Sequence, residues 1–359
     1  MRTGPSTSGD GNRASVLAFT LGEPSGVGPD LVLDLHRSGV LASIPYFVIA
    51  DPEMMASRAK RLRLTIPMVR IDTPAAYASV PHGALPVLPL VNRHLDEPGH
   101  VDPANGAGTI EAIDRATALA LRSEIGGIVT GPIDKKALYD VGFRHPGHTE
   151  YLADLCSQAT GRPITPVMLL AGPDLSCVPV TIHVPLASVS RLLTCDLIVE
   201  TCRIVNRDLK AKFAIPHPRL ALAGLNPHAG ERGSIGLEDE TVVRPAVEIL
   251  RRDGIDATGP LPADTMFNAR ARRAYDVAIC MYHDQALIPA KTLAFDETVN
   301  ITLGLPIIRT SPDHGTAADI AGRGVARPDS FRAAVEKAWM MAQSSATAGP
   351  LDRSETVSH

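Results

Sequence analysis

A chain of 359 residues is long enough for two domains or one large α/β unit, and 45% hydrophobic with 21% charged residues is an ordinary globular balance. A net charge of −4 without a basic block, and only 4% aromatic residues, argue against a nucleic-acid partner. No apolar run approaches a membrane span, and five scattered cysteines (Cys156, Cys177, Cys195, Cys202, Cys280) without C-x-x-C fit free buried thiols, so a cytoplasmic enzyme is expected.

The first 13 residues are small and polar and read as a disordered tail without a secretory h-region. Ser15 to Leu21 predicts a first strand, followed by GEPSGVGPD and a helix from Pro29. Such a glycine-rich turn can offer backbone N–H groups to an anion, or be a plain strand-to-helix connection. No G-x-G-x-x-G occurs, so an ordinary Rossmann cofactor site is unsupported. Tyr46 to Ala50 predicts a second strand, and Asp51-Pro52 a helix start. Residues 64–100 read as short strands and irregular connections. Ile110, Ile113, Thr117 and Leu121 share one face of a helix expected over 109–124. Ile128-Val129 is a strand ending at Thr130-Gly131-Pro132; Lys135, Lys136 and a short helix follow. Gly147-His148-Thr149-Glu150 reads as a helix N-terminus offering a hydroxyl and an imidazole to an anion.

Three later strands share one design. Val178–Ile182 ends at His183, Arg219–Leu225 leads to His228, and Asp276–Tyr282 ends at His283. Three imidazoles at strand ends would make an open metal site if they converge, which spacing alone does not establish. Lys291, Asn300 and Arg309 then follow at intervals of nine, each read as a polar break beside apolar residues. His314-Gly315-Thr316-Ala317 reads as a glycine turn opening a helix. Together they suit a small anionic ligand at the carboxyl edge of an α/β sheet. Residues 328–343 predict a last amphipathic helix.

These segments, from GEPSGVGPD through TGPIDKKAL, GHTEYLA, VTIHVPL, LNPHAGERG, GPLPADTMF and MYHDQALIPAK to VNITLGLPIIRTSPDHGTAADIAGRG, resemble the 4-hydroxythreonine-4-phosphate dehydrogenase family of vitamin B6 biosynthesis. The likeness covers nearly all of residues 15–340. It implies a divalent metal (zinc, magnesium or cobalt) on His183, His228 and His283, and substrate contacts from His148, Thr149, Lys291, Asn300 and Arg309. It also implies an isocitrate/isopropylmalate dehydrogenase-like fold of two α/β/α subdomains flanking a cleft. The first would comprise 14–135 plus 305–345 with the cofactor loop. The second, 136–304, would carry the metal and the dimer interface, with 1–13 and 346–359 as tails. His314, Gly315, Thr316 and Asp319 would form the cofactor loop, and a carboxylate on the ribose would favour NAD over NADP. A homodimer sharing its metal site between subunits is implied as well.

The expected reaction is NAD(P)-linked oxidation of the C3 hydroxyl of 4-phosphooxy-L-threonine to a β-keto acid, which decarboxylates. Asp264 and Asp284 are candidates for taking the hydroxyl proton; either instead orients a ligand imidazole. Alternatives are a 4-phospho-D-threonate or 4-phospho-D-erythronate dehydrogenase, a zinc hydrolase built on the three histidines, and a non-catalytic phosphoacid-binding protein.

Overall fold

The computed structural model describes residues 16–347; the two expected tails lie outside these residues, apart from the last turn of the final helix. The chain opens with β1 (Leu17–Thr20), α1 (Gly28–Ser38), β2 (Tyr46–Ala50) and α2 (Pro52–Arg61). Asp51 caps α2 by accepting the Glu53 N–H at 2.9 Å. Then come β3 (Met68–Arg70), β4 (Leu85–Pro89), α3 (Gly106–Leu121), β5 (Gly127–Thr130), α4 (Lys135–Asp140) and α5 (His148–Thr160). The middle of the chain contributes β6 (Val167–Ala171), β7 (Ser176–Thr181), α6 (Leu186–Leu192), α7 (Cys195–Phe213), β8 (Arg219–Ala223), α8 (Arg244–Arg252) and β9 (Asp256–Leu261). The last elements are α9 (Ala263–Met266), β10 (Val277–Tyr282), α10 (His283–Ala294), β11 (Val299–Leu303), β12 (Arg309–Pro312) and α11 (Asp329–Thr347). Among the described residues no helix is long and apolar enough to cross a membrane.

All the strands join one 12-stranded sheet in the order β3-β4-β2-β1-β5-β12-β11-β6-β7-β10-β8-β9. Up to β12 every pairing is parallel; β11 is antiparallel to both β12 and β6, and β6 to β7. From β7 to β9 the pairings are parallel again. An odd number of reversals separates the two blocks, so their carboxyl ends point to opposite edges of the sheet.

Alternation along the strands sorts the core into layers. Phe19, Val129, Leu169, Val178, Ile279 and Leu222 face one continuous cluster, covered by α1, α2, α7, α8 and α11. On the opposite face the apolar surface divides in two. Ala18, Ile49 and Ile128 pack under α3 and α5, whereas Leu170, Cys177 and Cys280 pack under α10. Between these clusters lie the two central strands, β12 and β11. Val299, Ile301 and Leu303 of β11 turn towards the continuous cluster, which sends Asn300 and Thr302 to the divided face. Thr310 donates its hydroxyl hydrogen bond to Ala334 O of α11, so Arg309 and Ser311 share that face with them. The middle of the sheet is therefore a polar strip between two apolar patches.

Candidate active site

Arg309 opens β12, in the middle of the sheet and 5% exposed. Its Nε and Nη2 donate to the Thr130 hydroxyl at 3.1 and 2.8 Å, and its Nη1 donates to the Thr302 hydroxyl at 3.1 Å. The register explains the partners: Arg309 pairs with Ile128, and Thr130 stands two residues further along β5 on the same face. Burial pushes the guanidinium down to about 10, opposed by the charge of Glu150, so it remains a cation at neutral pH. Among the described residues it makes no ion pair. A buried cation matched only to neutral hydroxyls is costly unless an anion joins it.

The N-terminus of α5 lies near Arg309, whose charge is felt at His148. Gly147 occupies its N-cap, and His148 and Thr149 are its first residues. His148 is buried with its Nε2 lacking a hydrogen-bond partner, and burial together with the Arg309 charge holds its pKa well below the ordinary imidazole value. A neutral imidazole, a guanidinium and a helix N-terminus thus meet at one place, an arrangement suited to an oxyanion. Lys291 comes from the facing helix α10, its ammonium 2.8 Å from Asp313 Oδ2 just past the end of β12. Lys291 and Asn300 were expected in loop-like breaks, and Arg309 likewise; all three instead sit in regular elements. In β11 the polar Asn300 and Thr302 alternate with the apolar Val299, Ile301 and Leu303, whereas β12 is polar at three successive positions, Arg309, Thr310 and Ser311, all of them buried.

The expected metal ligands line the opposite side of the molecule's second block. β7, β10 and β8 are adjacent and parallel, so the residues beyond their ends share an edge. The His183 and His283 rings are 5.5 Å apart, beside a cavity of about 220 Å³ also lined by Thr181, Tyr282 and Asp284. His283 Nδ1 is 2.7 Å from Asp284 Oδ1, which leaves Nε2 for a ligand and gives Asp284 the orienting geometry. His228 stands apart, in a turn where His228, Ala229, Gly230, Glu231 and Arg232 all have left-handed φ of 44 to 72°. The buried Asp239 carboxylate anchors that turn by accepting the Leu225 and Asn226 N–H groups. His183 is also left-handed, at φ 45°. Strained backbone of this kind costs energy and collects at functional sites. Among the described residues no three His, Cys, Asp or Glu side chains gather as a metal set, so one chain assembles two of the three histidines. Asp264 is exposed in the first turn of α9, which packs on the His228 turn.

His314, Gly315, Thr316 and Asp319 follow β12 on the surface. A helix was expected to open here, but only a 3₁₀ turn over Ala318–Ile320 forms. Ala317 is left-handed at its start, Gly322 and Gly324 are left-handed beyond it, and Pro328 precedes α11, so no helical run can establish itself. The loop leans on GEPSGVGPD: Val27 donates its N–H to Thr316 O at 2.9 Å, and a Cβ on Gly26 would meet that oxygen at 2.6 Å. The N–H groups of Glu23, Ser25 and Gly26 are also engaged, by Pro132 O, Glu23 Oε1 and Glu23 O. Four successive donors of GEPSGVGPD, on Glu23, Ser25, Gly26 and Val27, are thus spent within the fold and support the neighbouring loop.

Sequence reading did not single out Thr130, Thr302 or Asp313. A threonine in or after a strand is commonplace, and the Thr130–Arg309 contact spans 179 residues. A larger groove of about 630 Å³ runs along the outer side of α5, but none of the expected site residues lines it.

Residues 42–338 match the family model described as Pyridoxal phosphate biosynthetic protein PdxA. A 4-hydroxythreonine-4-phosphate dehydrogenase of Methylorubrum extorquens (strain PA1) is 51% identical over 329 residues, covering 91% of this chain and 94% of the relative. A relative of the same name from Bradyrhizobium diazoefficiens is 50% identical over 337 residues, covering 92% and 97%. Among solved structures, the 4-hydroxythreonine-4-phosphate dehydrogenase of Klebsiella pneumoniae has a TM-score of 0.82 at 37% identity, covering 91% of this chain and 99% of that one.

Proposed function

The chain belongs to the family of pyridoxal phosphate biosynthetic protein PdxA, and from that premise we propose how its residues carry out the dehydrogenase reaction. It is an oxidoreductase with the isocitrate dehydrogenase-like fold, acting as a 4-hydroxythreonine-4-phosphate dehydrogenase in pyridoxal phosphate biosynthesis. The observation that carries the site assignment is Arg309, a buried cation facing hydroxyls and the free Nε2 of His148.

Arg309, His148 and Thr149 bind one anionic end of the substrate, and Lys291 and Asn300 hold the rest over the polar strip. Lys291 meets the ligand from its ion pair with Asp313, so substrate binding shares or replaces that partner. The reaction removes a hydride from C3 and a proton from its hydroxyl. Asp284 orients His283, and Asp264, exposed and without a hydrogen-bond partner among the described residues, accepts the hydroxyl proton. His183, His283 and His228 would hold a divalent ion, which polarises the hydroxyl and the ketone formed from it. His314, Gly315, Thr316 and Asp319 would hold a nicotinamide cofactor, which would supply the hydride acceptor, and the Asp319 carboxylate would favour NAD by repelling a 2′-phosphate.

The histidines serve the substrate site of a second copy of the chain. β12 and β7 are three strand spacings apart, about 14 Å between backbones, and their carboxyl ends lie at opposite edges of the sheet. Exposed apolar side chains surround the histidine edge: Leu186 and Leu192 on α6, Leu237 beyond the His228 turn, Ile288 and Phe295 on α10. Such a patch suits a homodimer interface. In this reading 14–135 with 305–345 form the cofactor-bearing subdomain, and 136–304 the metal and dimer subdomain.

The test is NADH formation from 4-phosphooxy-L-threonine and from 4-phospho-D-erythronate, with and without chelator. Turnover of the first that chelator stops and a divalent ion restores is expected. Full turnover in chelator would remove the metal from the scheme, and a preference for NADP would remove Asp319 from the ribose.

A further inference from the structure

Arg309 has five N–H donors, and three are accounted for by Thr130 and Thr302. The two that remain belong one to each terminal nitrogen, the pair that grips an oxyanion in bidentate fashion. Each threonine hydroxyl accepts from the guanidinium and keeps its own proton, for which no acceptor occurs among the described residues. Both threonines are 1% exposed, so water does not compete for them. Their strands flank Arg309 on either side: β5 runs parallel to β12 and β11 antiparallel.

We propose that Thr130 and Thr302 are positioning residues for substrate binding, a two-hydroxyl cradle that fixes the Arg309 guanidinium without neutralising its charge. A carboxylate in either place would hold the side chain as firmly, but it would satisfy the cation and weaken its attraction for a ligand. A valine of the same shape would leave the charge and remove the aim. This rests on reading Arg309 as the anion-binding group, and the experiment separates the two claims.

The holoenzyme and its Thr130→Val, Thr302→Val, Thr130→Ser and Arg309→Met variants are compared for substrate KM, kcat, cofactor KM and inhibition by inorganic phosphate. Thr130→Val is expected to raise substrate KM and the phosphate inhibition constant together by about tenfold, because it removes two hydrogen bonds to a charged group. Thr302→Val, which removes one, should raise both about threefold. In each, kcat and cofactor KM stay within a factor of two, and Thr130→Ser restores the wild-type constants. Unchanged constants in both valine variants, with Arg309→Met impaired, overturn the cradle and leave the anion site standing. The cradle is equally overturned if kcat, cofactor KM and melting temperature fall together and serine restores nothing, for that is a purely structural role. If Arg309→Met binds substrate and phosphate normally, the reading of Arg309 itself fails.

Discussion

Arg58 and Arg309 are both buried guanidiniums, and the fold surrounds them in opposite ways. Arg58, fully buried on α2, has Asp30 Oδ1 at 2.5 Å and Asp96 Oδ1 at 2.7 Å, and donates to the carbonyls of Gly26 and Pro24. Asp30 also accepts the Gly322 N–H, so this network ties α1, α2, GEPSGVGPD and the end of HGTAADIAG together. Among the described residues Arg309 has no carboxylate within ion-pair reach and rests on two hydroxyls. The chain thus uses one buried arginine to complete its own structure and leaves the other electrically incomplete. Burial alone does not identify a functional cation; what its donors meet does.

The comparison breaks most visibly in stability. Arg58→Met strands Asp30 and Asp96 in the interior and is expected to cost about 3–5 kcal/mol of unfolding free energy, read from urea melts. Arg309→Met removes an uncompensated cation and should change stability by less than about 1 kcal/mol. Similar losses in the two would end the distinction. The same Arg309→Met variant should instead lose about 2–3 kcal/mol of substrate binding, a KM roughly a hundredfold higher, while Arg58 variants that fold keep theirs.

Mixing subunits sharpens where Arg309 works. If the histidines of one chain serve the Arg309 of the other, inactive His283→Ala subunits and Arg309→Met subunits, assayed at substrate far below the raised KM so that they too are silent, form heterodimers with one intact site. Equal mixing then returns about a quarter of wild-type activity. A dead mixture, with subunit exchange verified by mass spectrometry, would place both groups in one chain's site.

The smallest effect comes from His94, a third buried base. Burial pushes it down to about 4, so it avoids the cost of a charge by staying neutral. As pH falls, the unfolded chain takes the proton near its ordinary pKa of about 6.5, before the folded chain does. Stability from this group is therefore full above about 6.5 and declines until about 4, with about 1 kcal/mol lost by pH 5.5. His94→Leu should flatten that part of the stability–pH curve; an unchanged curve would mean that His94 does not stay neutral through burial.

Much of the molecule was legible beforehand. The apolar run Val277–Tyr282 ended at His283 as periodicity required, and Gly147 stood at a helix start, because both depend on neighbours within a few residues. The family motifs supplied by identity the eight positions proposed to hold metal and substrate. Local pattern could not foresee that HGTAADIAG would stop after one 3₁₀ turn, because its helical propensity is overruled by left-handed positions at Ala317, Gly322 and Gly324.

Three matters were decided only by tertiary structure. The antiparallel pairings of β11 and β6 turn one block of strands against the other, which puts the histidines beyond β7, β8 and β10 at the edge opposite the carboxyl end of β12. GEPSGVGPD, read as a possible anion loop or a plain connection, has the N–H groups of Glu23, Ser25, Gly26 and Val27 engaged within the fold and the carbonyls of Pro24 and Gly26 bonded by Arg58. Thr130 and Thr302 became partners of Arg309 through register across β5, β12 and β11. The sequence determined which residues are polar and which elements carry them. Whether a buried charge is matched or left open depends on side chains that meet only once distant strands have paired, and no periodicity within one segment encodes that meeting.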